Sequence, residues 1–165
     1  MRRALELFER ARASPRSATV TRVARAIASP RGHGGSAEAG LRAHSVWGDP
    51  FEACAQPEYW TPMPLACELG GAWVYGVADL VRFVRGRPVE VVELKHYAGS
   101  DEYSRAQVSI YAWMLHELFG VAPRAYLALG WDGRRFRELV EVPYEVDGVR
   151  ESVRRALARL GLLEA

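Results

Sequence analysis

Gly76-Val77-Ala78-Asp79-Leu80-Val81-Arg82-Phe83-Val84-Arg85-Gly86-Arg87-Pro88-Val89-Glu90-Val91-Val92-Glu93-Leu94-Lys95 is the stretch on which the reading of this chain turns. Two runs rich in β-branched and aromatic residues, Trp73 to Val84 and Val89 to Tyr97, flank Arg85-Gly86-Arg87-Pro88. The pattern predicts two strands joined as an antiparallel hairpin. Side chains alternate along a strand, so Glu93 and Lys95 share one face while Val92 and Leu94 take the other. Asp79, on the partner strand, is then expected to bring its carboxylate toward that of Glu93. Two carboxylates held together repel unless a cation lies between them.

Composition singles out Lys95 independently. The chain has 22 basic residues, and Lys95 is the one lysine among them. Ordinary solvated positive charge is therefore supplied by arginine, and a lone lysine on an apolar strand points to a task that needs a compact ammonium of adjustable pKa. Oxygen donors such as Asp79 and Glu93 suit Mg²⁺ or Mn²⁺, with the carbonyl of Leu94 as a further ligand. Lys95 would orient or deprotonate an attacking water while the metal stabilises charge on phosphate oxygens, which is the chemistry of phosphodiester hydrolysis.

Working outward, residues 1–28 carry apolar side chains at helical spacing (Leu5, Phe8, Val20, Val23, Ala24, Ile27) broken by Ser14-Pro15, which predicts two helices. After a glycine-rich turn, Ser36 is expected to cap a helix reaching about Trp47 and carrying His44. Residues 48–64, rich in proline and aromatics, read as a long loop. A strand is expected over Leu65 to Leu69. Ser100 is expected to cap a helix, apolar nearly all round, that runs to Phe119 and stops at Gly120. Ala125 to Trp131 and Phe136 to Val142 flank Asp132-Gly133, a hairpin signal, and an amphipathic helix spans Val146 to Leu163.

The chain has 165 residues, 49% hydrophobic and 25% charged, the size of a single domain with a substantial core. Its formal charge of +2 makes any affinity for nucleic acid a matter of local arginine clustering. No apolar run approaches the ~18 residues of a membrane span, so the expectation is a cytoplasmic protein that does not enter the membrane. Two cysteines, Cys54 and Cys67, are too few for a four-thiolate cluster and are expected to be buried small side chains.

The motifs, in this order, resemble the PD-(D/E)XK nuclease superfamily, and in particular its RecB-like branch, which includes CRISPR-associated exonucleases. Gly76-Val77-Ala78-Asp79 is similar to that branch's G-x-x-D motif, Glu93-Leu94-Lys95 to its E-x-K, and Gln107-Val108-Ser109-Ile110-Tyr111 to its Q-x-x-x-Y. Gly40 followed by His44 resembles the upstream helix that supplies a histidine. The resemblance covers roughly residues 36–130 and implies an α/β restriction-endonuclease-like fold, a mixed sheet flanked by helices. It implies His44, Asp79 and Glu93 as metal ligands and Lys95 as the catalytic lysine, with Gln107 and Tyr111 buttressing the site or touching DNA. Residues 1–28 and the last helix, 146–163, lie outside it. Ala78 replaces the superfamily's proline. The CRISPR-associated members hold an iron–sulfur cluster on one N-terminal and three C-terminal cysteines. Residues 68–165 contain none, so no iron–sulfur cluster is expected here.

The expected activity is Mg²⁺- or Mn²⁺-dependent hydrolysis of DNA, first as an exonuclease on single-stranded or duplex ends. A structure- or site-selective endonuclease of the junction-resolvase or restriction type, a hydrolase acting on RNA, and a binding module without chemistry remain alternatives. Glu68 is a candidate for a second metal. Two arginine groups, Arg82, Arg85 and Arg87 on one hairpin and Arg134, Arg135 and Arg137 on the next, are candidate phosphate contacts, against the plainer reading as solvated hairpin tips. Tyr59, Trp60 and Tyr97 are candidates for stacking on unpaired bases, against the plainer reading as packing residues.

Overall fold

The computed structural model of the chain describes residues 2–29 and 58–164. In order, the elements are α1 (Arg2–Ala13), β1 (Ser17–Thr19), α2 (Val20–Ile27), β2 (Glu58–Leu69), β3 (Ala72–Val84), β4 (Arg87–Leu94), α3 (Glu102–Phe119), β5 (Arg124–Trp131), β6 (Phe136–Glu141) and α4 (Val146–Arg159). The fold is α/β, with a mixed six-stranded sheet ordered β1-β3-β4-β5-β6 and β2 on the other edge of β3. The expected helix from Ser36 to Trp47, with Gly40 and His44, lies outside the described residues, as do Cys54 and the first part of the 48–64 loop.

The long hairpins follow from turn chemistry. Arg85 and Gly86, at φ 50° and 76°, form the two-residue turn between β3 and β4, a left-handed pair that matches strand twist. Asp132 closes the β5–β6 hairpin by accepting the N–H groups of Arg134 and Arg135, each at 3.0 Å. β4 and β5 run parallel, and α3 connects them.

α2 and α3 cover one face of the sheet and α4 packs on those two helices, so that Val74, Val81, Val91 and Leu127 are buried in one core with Trp113, Ile110 and Leu157. Burying a side chain of this size stabilises by ~1.5–3 kcal/mol. α1 lies on the opposite face, its Leu7, Phe8 and Ala11 against Ala66, Trp73 and Tyr75. Beside α1 on that face, Leu80, Val92, Leu94 and Ala128 floor a groove of about 600 Å³.

Five boundaries differ from the expectation, the first being that β4 ends at Leu94 rather than Tyr97, just past its last pairings with β3 at Val92 and with β5 at Leu94. Residues 58–64 are not loop but the first half of β2, paired with β3 from Glu58↔Val84 onward. Pro62 and Pro64 obscure this strand, yet among the described residues β2 pairs only with β3, and an edge strand tolerates proline. β1 was not expected, because three residues carry no pattern; it exists through its parallel pairing with Trp73–Tyr75. Asp101, not Ser100, caps α3, since its carboxylate reaches the N–H of Ser104 at 2.7 Å. α4 ends at Arg159 rather than Leu163 because Gly161 turns left-handed at φ 71°. Leu162 N–H then bonds Leu157 O and Gly161 N–H bonds Ala158 O, closing a Schellman motif.

The ends of the described chain are fastened together. The Arg16 guanidinium donates to the Leu162 carbonyl at 2.8 and 3.3 Å, and Arg159 donates to the Ala26 carbonyl at 2.9 Å. No helix among the described residues is long and apolar enough to cross a membrane.

Two groups, buried Cys67 and half-buried Tyr144, give the fold an alkaline limit. Burial, reinforced by Glu117, pushes the Cys67 thiol from 9.0 to about 12, and burial pushes the Tyr144 hydroxyl, which donates to Pro123 O at 2.6 Å, from 10.0 to about 12. Both pKa values are raised in the folded state, so their stabilisation is complete below the unfolded values and is lost as pH climbs toward about 12. The urea midpoint should therefore fall steadily above pH 9.0, and Tyr144→Phe should make that fall shallower.

Candidate functional site

The site forms where the sheet divides. β2 follows one edge of β3 along its whole length, so β1 and β4 must share the other edge. β1 pairs with Trp73–Tyr75 and β4 with Leu80–Val84. Residues 76–79, the Gly76-Val77-Ala78-Asp79 motif, fall in the gap between them, with no strand on that side among the described residues.

A β-bulge on β3 aims Asp79 into this gap. Thr61 pairs with Val81 and Met63 with Ala78, so Asp79 and Leu80 together oppose the single residue Pro62. The bulge reverses the alternation of β3: Val74 and Ala78 face the helices before it, Val81 and Phe83 after it, and Leu80 turns to the outer face. An uninterrupted ladder would continue from Leu80↔Val92 by giving the Leu94 N–H to the Ala78 carbonyl. Instead that N–H donates to Asp79 Oδ2 at 2.8 Å. The carboxylate thus takes the place of a backbone acceptor at the point where β3 and β4 part.

β4 supplies Glu93 and Lys95. As expected from alternation, Val92 and Leu94 face the outer groove, and the two charged side chains meet at 3.0 Å between Lys95 Nζ and Glu93 Oε1. Their side chains are only 14% and 7% exposed, so this ion pair lies largely out of water. The Lys95 N–H bonds Ala128 O in the parallel ladder at 2.8 Å. Leu94 therefore directs both its N–H and its carbonyl to the β3 side, where Asp79 stands.

α3 completes the site. Gln107 and Tyr111, one turn apart, face the strands. Buried Gln107 accepts from Lys95 Nζ through Oε1 at 2.7 Å. Tyr111 is buried with its hydroxyl against Gly76: a Cβ at Gly76 would lie 2.6 Å from that oxygen. The glycine and tyrosine of two separate motifs are thus one contact. Tyr103, which sequence reasoning missed, continues the same helical stripe four residues before Gln107 and presents its ring 5.8 Å from Lys95 Nζ. Its spacing from Gln107 was the available signal.

The electrostatics fix the protonation of two groups. Burial alone would lower the Lys95 pKa, but the charge and hydrogen bond of Glu93, with Tyr97 and Asp79, outweigh it and hold the ammonium above its ordinary value. Burial, then the charges of Glu93 and Asp79, push the Tyr111 phenol well above its ordinary value. Lys95 is therefore a cation and Tyr111 a neutral hydroxyl at physiological pH.

Other candidates lie elsewhere or have packing roles. Glu68 pairs with Trp73, six residues and about 20 Å of strand from Asp79, because β2 and β3 are antiparallel. It does not belong to the site. Tyr59 stacks on Phe83 with centroids 5.1 Å apart, Arg82 lies over Trp60, and the Tyr97 hydroxyl shares a 2.6 Å hydrogen bond with Ser104. His44 is outside the described residues. Among the described residues no three histidine, cysteine or acidic side chains cluster as a metal site. The two carboxylates match the sparser set with which Mg²⁺ is held, one or two carboxylates completed by water and substrate oxygens.

Gly76→Ala should cost ~1–3 kcal/mol in urea unfolding, because the new methyl overlaps the Tyr111 hydroxyl. Combining it with Tyr111→Phe should recover part of that loss, a non-additivity expected only of residues in contact.

The chain matches no family model and no curated protein. Among solved structures it is similar to that of SSO0001, with a TM-score of 0.50 and 18% identity, over 94% of this chain and 83% of that one. That likeness is one of fold.

Proposed function

We propose that the chain is a metal-dependent nuclease that hydrolyses DNA phosphodiester bonds with Asp79, Glu93 and Lys95 as its reacting centre. The observation that carries this reading is the convergence, at the parting of β3 and β4, of Asp79 on Leu94 N–H and of Glu93 and Gln107 on the ammonium of the chain's one lysine. The motifs that resemble the RecB-like branch of the PD-(D/E)XK superfamily support the same reading.

Asp79 and Glu93, with the Leu94 carbonyl on the same side, would hold a Mg²⁺ or Mn²⁺ ion, which when bound supplies charge stabilisation at the phosphate oxygens. Lys95 acts as a cation. An ammonium has three N–H donors, and two are committed to Glu93 and Gln107. The third positions the attacking water or steadies negative charge on phosphate. In the reaction an oxygen of water bonds to phosphorus as one of its O–H bonds breaks, the bond from phosphorus to the leaving nucleoside oxygen breaks, and that oxygen gains a proton, so the net transfer is of one proton from water to the leaving group. Gln107 is a positioning residue that fixes the lysine, and Tyr111 fills the gap behind the carboxylates.

Cleavage of labelled single-stranded, duplex and circular DNA should require Mg²⁺ or Mn²⁺ and cease in EDTA. Asp79→Ala, Glu93→Ala and Lys95→Ala should each lose at least ~100-fold in turnover, ~2.7 kcal/mol in the barrier, with DNA binding largely retained. Gln107→Ala should lose about tenfold. Undiminished cleavage by Asp79→Ala or Lys95→Ala would falsify the proposal. Cleavage of closed circles would make the enzyme an endonuclease, and inertness toward circles an exonuclease on ends.

A further inference from the structure

The sequence offers two arginine-bearing hairpins, and the topology separates them. Taking Asp79, Glu93 and Lys95 as the reacting centre, as proposed above, β4 runs toward the site and its hairpin with β3 lies at the far end. Arg87 is eight residues before Lys95, about 26 Å away at the rise of a strand. β5 runs parallel to β4, so its hairpin with β6 lies at the near end. Leu94 pairs with Ala128 and the Lys95 N–H bonds Ala128 O, which sets Leu129 level with Lys95. Trp131 is two residues further, about 7 Å, and the tip with Arg134 and Arg135 follows directly.

The two ends differ in the arginines along their strands rather than at their tips, since Arg85 and Arg87 are also exposed and, among the described residues, form no ion pair. At the far end Arg82 pairs with Glu58 at 2.9 Å and Glu90 at 3.4 Å, and Arg124 pairs with Glu141 at 2.7 Å. At the near end Arg134, Arg135 and Arg137 are exposed, and among the described residues none of them forms an ion pair. The one acidic group at the tip, Asp132, turns an oxygen to the backbone of Arg134 and Arg135, which fixes the turn that presents their side chains. Beneath them Trp131 and Phe136, half-buried with centroids 4.9 Å apart, make a rigid aromatic base.

We infer that the Asp132–Phe136 hairpin tip is the track that holds the DNA backbone beside the reacting centre, with Arg134 and Arg135 on phosphates about three nucleotides from the scissile bond, at ~3.4 Å of rise per nucleotide. Arginine suits this role because its planar fork matches phosphate oxygens. The Arg85-Gly86 tip takes no part, since it lies at the other end of the sheet.

The test is the salt dependence of binding to fluorescein-labelled DNA, single-stranded and blunt duplex in separate arms, in EDTA so that nothing is cut. Arg134→Ala/Arg135→Ala should weaken binding about tenfold or more at low salt, and the slope of log affinity against log salt should fall by ~1.4 on single strands or ~1.8 on duplex, the change for two phosphate contacts. Arg85→Ala/Arg87→Ala should stay within about twofold, with the slope unchanged. Equal losses from the two pairs, no loss from the first, or no binding by the unaltered protein would each overturn the inference. Because binding is read without cleavage, the track can stand even if the Asp79→Ala enzyme still cuts, and it can fail while the reacting centre stands.

Discussion

The site depends on one exchange of hydrogen-bond partners. At the end of the β3–β4 ladder the Leu94 N–H takes the Asp79 carboxylate instead of a backbone carbonyl. A buried N–H left without an acceptor would cost ~1–3 kcal/mol, so strands can separate here only if a side chain supplies one. Asp79 supplies it, and the bulge opposite Pro62 turns the carboxylate to the right side. Strand separation opens the gap that Tyr111 fills against Gly76, beside Glu93 and Lys95, which alternation turns toward α3.

The lysine within that gap is costly and well held. Removing one partner of a buried ion pair typically destabilises by ~3–5 kcal/mol, whereas the intact pair adds little net stability over apolar packing. The Glu93–Lys95 pair with Gln107 is therefore poorly explained as a device for stability alone. It fixes a cation at a defined point, with a neutral phenol and an aromatic ring around it. Preorganised charge of this kind needs little rearrangement when charge develops on a substrate.

Much of this was legible in the sequence because it was written in local patterns. Alternation placed Glu93 and Lys95 together, Arg85-Gly86 and Asp132-Gly133 marked the hairpins, and Gly120 ended α3. What escaped depended on partners distant in the chain. β1 is a strand only through Trp73–Tyr75, β2 was hidden by two prolines that an edge strand tolerates, and Glu68 reads as a neighbour of the acids until the antiparallel register carries it away. The reason for Gly76 was equally invisible: it is the Tyr111 hydroxyl, 35 residues later. The motif spacing revealed which residues meet, while the bulge that makes them meet appeared only with the pairing.

The bonds from Arg16 to Leu162 and from Arg159 to Ala26 bear on how the molecule comes into being. They span 146 and 133 residues, so α1, β1 and α2 wait for a fastening that is among the last parts of the described chain to leave the ribosome. Closing so long a loop adds entropy that grows only slowly with length, yet contacts this distant slow the search for the native arrangement. During synthesis the sides of α2 and α3 on which α4 packs therefore stay exposed until α4 emerges, an interval in which bare apolar surface favours misassembly.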